Sequence, residues 1–374
     1  MRAQVLEAYR TPYFLRERPK PHDPTGHDLL IRVQAASYCH TDAVLAAGEF
    51  PQHPLPRVGC HEFAGVIVAM GSDVRPDLSL KTGLLVGVPG RSYHSCGTCY
   101  ECRNNDGDPE SYGVWCNRAE GNLGMNRDGG FQDYCIVDSR QVAPIPSVLS
   151  AVDAAPLMCA GLTIWNALGQ AGVRLEEHGG EGLTIAISGA GGGLGHIGVQ
   201  FALKLGCHVL AIDASDAALN LLREMSASLS PQSSKITIVD ARKQKAQTVR
   251  QDVFSQPESV SVEERGADAV LILPESQGAL DYGMELLKNH GTCVIVSFPK
   301  GGFRFEPRDL IFRHITMKGV LVGKNRQLRA MVKFAAQQGV RAKIRTYSLE
   351  DLNTLVSDYH KGAFGGKLVV DMLK

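Results

Sequence analysis

Four cysteines, Cys96, Cys99, Cys102 and Cys116, stand in a C-x2-C-x2-C-x13-C pattern. Four thiolates gathered on one short stretch match a closed tetrahedral zinc site of the structural kind. The surrounding SCGTCYECRNNDGDPESYGVWCN is poor in apolar residues. A lobe of that composition cannot stabilise itself by burial, so a metal is expected to hold it. A second set is dispersed: Cys39 in SYCHTD, His61 in VGCHEFAG and Cys159 in PLMCAGLT. Spacing alone does not make it a metal motif, and satisfied core residues are the simpler reading on that ground. Cys60, Cys135, Cys207 and Cys293 have no such surroundings and read as packing residues.

A third constellation is rich in glycine. Gly189, Gly191, Gly192, Gly193 and Gly195 crowd GAGGGLG (189–195), after the apolar LTIAIS (183–188) and before GHIGVQFALKLG. A glycine turn between strand and helix lets the backbone approach a pyrophosphate, which the helix N-terminus then binds. Asp213 ends the next apolar run, CHVLAID (207–213), 24 residues after Gly189. An acidic residue at about that distance accepts hydrogen bonds from the adenosine ribose of NAD. An NADP site instead places an arginine nearby. The residues after Asp213 are Ala214, Ser215 and Asp216, and the next arginine along the chain is Arg223, so NAD is expected.

These residues need a scaffold. The 374 residues suggest two domains, and 44% hydrophobic with 21% charged residues is ordinary for a globular chain. Lys+Arg and Asp+Glu both number 39, so no strong field draws nucleic acid or an anionic membrane. No run of about 18 apolar residues offers a membrane span. No secretory leader is read at the start, and clustered cysteines fit a reducing compartment, so a cytoplasmic location is expected. DLLIRVQAAS (28–37) and EFAGVIVAMGS (62–72) read as strands of a β-rich first part, and residues 153–172 have helical apolar spacing. From 183 the texture becomes strand, glycine loop, helix, strand. KITIVD (235–240), DAVLILP (268–274) and GTCVIVSFP (291–299) then supply further strands of a parallel sheet.

Taken together, the chain resembles the zinc-dependent medium-chain alcohol dehydrogenases, and most of all their microbial, often tetrameric branch. The resemblance is carried by CHTD, the HE dipeptide of GCHEFAG, the four-cysteine lobe, CAGLT, SGAGGGLG ahead of an Asp-ending strand, VIVSFP and KGAFGGKLVVD, in collinear order over essentially the whole chain. It implies an α/β architecture: a GroES-like β-rich catalytic domain over 1–160 and 321–374, with the zinc lobe at 94–117, and a doubly wound Rossmann domain over 161–320. It implies two zinc ions per chain, one catalytic on Cys39, His61 and Cys159, one structural on the lobe cysteines. Asp42 would orient His61, and Glu62 would sit beneath the metal. Thr41 would hydrogen-bond the substrate oxygen and relay its proton. Cofactor binding would fall to His40, Gly189, Gly191, Gly192, Gly193, Leu194, Gly195, Asp213, Phe298 and Lys367, with His40 and Lys367 at the pyrophosphate. The implied reaction moves a hydride between NAD(H) and an alcohol, aldehyde or ketone. A homo-oligomer, dimer or tetramer, is implied as well.

The chain also departs from the family pattern. Cys60 and Phe63 replace glycines, and the gap before Cys116 is about six residues longer than usual. Val44 stands where a relay histidine often does, and Ala218 where a basic residue often meets the ribose. His53 is an alternative proton exit. Phe50 keeps one pocket aromatic, with Arg91 and Tyr93 near the place of another. Two other readings stand beside the main one: an NADPH-dependent carbonyl reductase, and a catalytically idle homologue with a binding role.

Overall fold

A computed structural model describes residues 1–49, 54–104, 114–228, 235–254, 261, 264–362 and 364–374. These divide into two compact units. One comprises Met1–Leu162, Val322–Ala363 and Lys367–Lys374; the other comprises Thr163–Leu321 and Phe364–Gly366.

The first unit is built on strands. Among the described residues its main sheet has seven. The ten-residue strand Asp28–Ser37 pairs antiparallel with Glu62–Met70, Tyr134–Asp138 and Lys367–Asp371. Leu29, Ile31, Ala35 and Ala36 on it are fully buried. Ser92–Tyr93 and Gly121–Asn122 form a small ribbon at the base of the cysteine lobe. The helix expected over 153–172 is broken. A helical turn, Ala151–Ala154, runs into a 3₁₀ segment, Ala155–Met158, and a helix, Ala160–Gln170, restarts after Cys159. Pro156 lies in the 3₁₀ segment, where it lacks an N–H for a continuing α-helix. Cys159 takes φ −120° and ψ −64°, outside the helical well.

The second unit holds six parallel strands: β1 (Thr184–Ser188), β2 (His208–Asp213), β3 (Ile236–Asp240), β4 (Ala267–Ile272), β5 (Leu287–Ile295) and β6 (Thr316–Gly319). Their order is β3-β2-β1-β4-β5-β6, the doubly wound Rossmann arrangement. The near-continuous apolar runs follow from burial on both sheet faces: Ile185, Ala186, Ile187, Val270 and Leu271 are all fully covered. Helix α1 (Gly195–Lys204) follows β1, and α2 (Asp216–Ser228) follows β2. The strand expected at 291–299 begins instead at Leu287, because β5 bulges against β4 between the pairs Ala267–Leu287 and Ala269–Thr292. Among the described residues no single helix is long and apolar enough to cross a membrane.

Candidate active site and cofactor loop

In the lobe, one ligand atom from each of Cys96, Cys99, Cys102 and Cys116 lies within 4.8 Å of all the others. Four sulfurs at about 2.3 Å from one zinc ion would sit about 3.8 Å apart. Cys99 and Cys116 Sγ are 3.9 Å apart. The backbone donates to these sulfurs: Cys99 N to Cys96 at 3.3 Å, Thr98 N to Cys96 at 3.5 Å, and Cys96 N to Cys116 at 3.3 Å. The Thr98 hydroxyl and amide hold the Cys96 thiol down at about 5, so it offers the thiolate a metal needs. The donor set fits zinc. Of the longer gap before Cys116, Arg103 to Trp115, residues 105–113 lie outside the described residues.

The dispersed trio converges as well. Cys39, His61 and Cys159, drawn from three separate segments, place their ligand atoms within 4.8 Å of one another. Two sulfurs and an imidazole with a fourth position open is a catalytic rather than a structural zinc set. Each ligand is placed by an identifiable local device. Cys39 caps the helix His40–Ala46, whose first turn carries Thr41 and Asp42. The buried Asp42 accepts from Cys39 N at 3.0 Å and Cys60 N at 2.9 Å, tying two ligand-bearing segments together. Its Oδ1 is 3.6 Å from His61 Nδ1, a facing carboxylate rather than a formed hydrogen bond. Gly90 backs the imidazole, since a Cβ there would lie 2.2 Å from that of His61. Cys60 keeps the left-handed backbone that a glycine would adopt, with φ +77°. Phe63 is fully buried and packs on Gly130.

Glu62 is fully buried and links the site to the sheet. It accepts from Ser37 Oγ at 2.9 Å and from Ala160 N at 3.2 Å, and it pairs with Lys367. Ala160 opens the helix that follows Cys159, so Glu62 caps the break that presents that ligand. Burial pushes the Glu62 carboxyl up to about 7, against the pull of Lys367. Lys367, expected at a pyrophosphate, is turned inward. Its ammonium holds Glu62 and donates to the Tyr38 carbonyl at 2.9 Å. His40 is exposed, with Nδ1 2.9 Å from Tyr359 Oη. Thr41 is half-buried, its Oγ1 3.9 Å from Cys39 Sγ.

Arg91 and Tyr93, read as neighbours of a pocket aromatic, are committed elsewhere. Arg91 is buried and donates to the Gln141 carbonyl and Asn325 Oδ1, both at 3.1 Å, and Tyr93 Oη donates to Asp28 at 2.6 Å. Phe50 and His53 lie outside the described residues.

In the second unit Gly189 adopts φ +78° and turns the chain from β1 toward α1. At Gly195 a Cβ would meet Gly189 O at 2.1 Å, and at Gly191 it would meet Ala218 O at 2.5 Å, so both must be glycine. Gly192, Gly193 and Leu194 are half-buried on the same loop, ahead of the first residues of α1. Asp213 fastens this loop: its carboxylate accepts from Gly191 N at 3.0 Å, Ala214 N at 2.8 Å and Ser215 N at 3.1 Å. Phe298, beyond the end of β5, is 51% exposed. The reading along the chain missed Arg242. It stands two residues past β3 and 29 after Asp213, yet its guanidinium lies 2.6 Å from Asp216. No spacing along the chain marks it: the approach follows from the in-register pairing of β2 and β3, Asp213 opposite Asp240.

A Rossmann sheet with a glycine loop, carried in one chain with an open Cys–His–Cys set and a closed four-cysteine set, defines a nucleotide-dependent metal oxidoreductase. Residues 25–147 match the alcohol dehydrogenase GroES-like domain, and residues 193–337 the zinc-binding dehydrogenase domain. An alcohol dehydrogenase of Geobacillus stearothermophilus is 30% identical over 371 residues, 99% of each chain. Alcohol dehydrogenase 1 of Emericella nidulans is 32% identical over 372 residues, 99% of this chain and 97% of that one. The solved alcohol dehydrogenase of Aeropyrum pernix superposes with a TM-score of 0.81 at 28% identity, covering 99% of this chain and 100% of its own. The chain belongs to the zinc-dependent medium-chain alcohol dehydrogenase family, oxidoreductases that act on alcohols, with a GroES-like part and a Rossmann part.

Proposed function

We propose that the chain is an NAD-dependent zinc alcohol dehydrogenase, interconverting an alcohol with its aldehyde or ketone and holding two zinc ions. The observation that carries this reading is the convergence of Cys39, His61 and Cys159, separated in sequence, on one three-ligand set, one fewer than a closed structural zinc uses. Zinc held there supplies a Lewis acid to the substrate oxygen, and the nicotinamide exchanges the hydride. The Thr41 hydroxyl, beside that ligand set, holds the substrate proton and passes it outward. Asp42 fixes the backbone of Cys39 and Cys60, and Glu62 fixes the start of the helix behind Cys159. His40, the loop Gly189, Gly191, Gly192, Gly193, Leu194 and Gly195, and Asp213 and Phe298 bind the cofactor. Lys367 acts by holding Glu62.

NAD is favoured by Asp213 and Asp216, two carboxylates at the end of β2 that repel a 2′-phosphate. The second reading, an NADPH-dependent carbonyl reductase, draws on Arg242 at that same end. The ten cysteines are free thiols, which suits a reducing cytoplasm. The protein is read as a homo-oligomer, since β6 is an edge strand and the neighbouring Ile311 and Phe312 are 64% and 73% exposed. Metal analysis and turnover of graded alcohols and aldehydes with NAD(H) and NADP(H) test the reading. Two zinc per chain and a higher specificity constant with NAD(H) are expected; a single zinc, or preference for NADP(H), refutes the corresponding part.

A further inference from the structure

Asp216 opens α2 and Asp240 closes β3, and both hold Arg242. Nη2 of the guanidinium is 2.6 Å from Asp216 Oδ1 and 2.8 Å from Asp240 Oδ2, while Nε is 2.9 Å from Asp240 Oδ1. Ala241 N donates to the Asp213 carbonyl at 3.0 Å, which fixes the turn after β3 against the end of β2. Arg242 therefore reaches from the third strand across the end of the second, where Asp213 marks the ribose of a bound dinucleotide. A guanidinium fork takes phosphate as readily as carboxylate, and with the same geometry. An intramolecular carboxylate is present at high effective concentration and occupies the fork first.

We propose that Asp216 is a tethered competitor for Arg242, occupying the guanidinium that would otherwise bind the 2′-phosphate of NADP(H), and that this lock sets the cofactor preference. The proposal rests on the NAD reading above and gives it a residue-level cause. Asp216 and Asp240 both hold Arg242, and the Nζ of Lys243 is 3.8 Å from Asp240. Removing the Asp216 carboxylate frees the Nη2 N–H that it holds, while Asp240 still aims the guanidinium. The lock differs from simple repulsion: if repulsion alone acted, the identity of residue 242 would not matter.

The test is binding of NADH and NADPH to the full chain, followed by the fluorescence of the reduced nicotinamide, in wild type, Asp216→Asn, Arg242→Gln and the double variant. Asp216→Asn should tighten NADPH binding about tenfold, the scale of one hydrogen bond to a charged group, and leave NADH within about twofold. The double variant should lose that gain. Asp216→Ser must behave as Asp216→Asn does. An equal gain in the double variant assigns the effect to repulsion and overturns the lock, and no gain in Asp216→Asn overturns it directly. Tighter NADPH than NADH binding in the wild type ends the NAD reading, whereas the lock is judged on the ratios among the variants.

Discussion

The ammonium of Lys367 lies against the carboxylate of Glu62 inside the β-rich unit, across 305 positions of sequence. Both side chains are buried, and Glu62 also caps the helix that follows Cys159. Removing one partner leaves the other charge buried alone, a loss of about 3–5 kcal/mol. Lys367→Met should cost that much in urea unfolding, and Lys367→Met with Glu62→Gln should recover most of it. Additive losses in the double variant would show that the two side chains do not act as a pair.

Zinc content separates the two ligand sets. Cys159→Ala should bring two zinc per chain down to one, keep the fold by circular dichroism and abolish turnover. Cys99→Ser should instead weaken folding, because the apolar-poor lobe depends on its metal. Full turnover in Cys159→Ala would dismiss the catalytic assignment.

The proton path is tested at Thr41 and Val44. Thr41→Val removes the hydroxyl beside Cys39 and should lower kcat by about 10²–10⁴ with little change in zinc content. Val44→His should raise turnover near pH 7, since an imidazole titrates there and an isopropyl group does not. An unchanged pH–rate curve in Val44→His, with hydride transfer shown rate-limiting by a deuterated substrate, would dismiss a missing relay.

Hydrogen bonds from Arg242 hold the Asp240 carboxyl down at about 2. A depressed carboxyl stabilises the folded state above its ordinary value of 3.8 and loses that contribution as pH falls toward 2. NMR titration should find Asp240 near that low value in the wild type and close to the ordinary value in Arg242→Gln. Equal values in the two proteins would remove the ion pair from the account.

Association is checked at the exposed end of the second unit. Replacing Ile311 and Phe312 by Asp should reduce the sedimentation coefficient to that of a monomer, leaving zinc content unchanged. A variant that sediments like the wild type places the contact on another surface.

The lobe cysteines were legible in the sequence because their ligands are close neighbours along the chain. The parallel sheet was legible because strand, glycine loop, helix and strand follow one another within about 30 residues. The Cys39, His61 and Cys159 set was legible only through resemblance, since no spacing rule joins positions 120 residues apart. The inward turn of Lys367 and the reach of Arg242 were not legible. Each depends on strand pairing between distant segments, which decides what a long cation meets. The break before Cys159 was marked by Pro156 but masked by the apolar period that runs through it, and the cap from Glu62 comes from a distant strand.

The interleaving of the two units also bears on synthesis. The nucleotide unit is almost one continuous stretch, Thr163–Leu321, whereas the β-rich unit needs Lys367–Asp371 beside Asp28–Ser37. On a ribosome adding about 5–20 residues per second, roughly 10–40 s separate the emergence of residue 162 from that of the last strand. Through that interval the Ala35–Ser37 end of the Asp28–Ser37 strand lacks its partner, and Glu62 waits without its cation. The later-encoded unit can thus fold first, while the earlier one closes only when its last strand arrives.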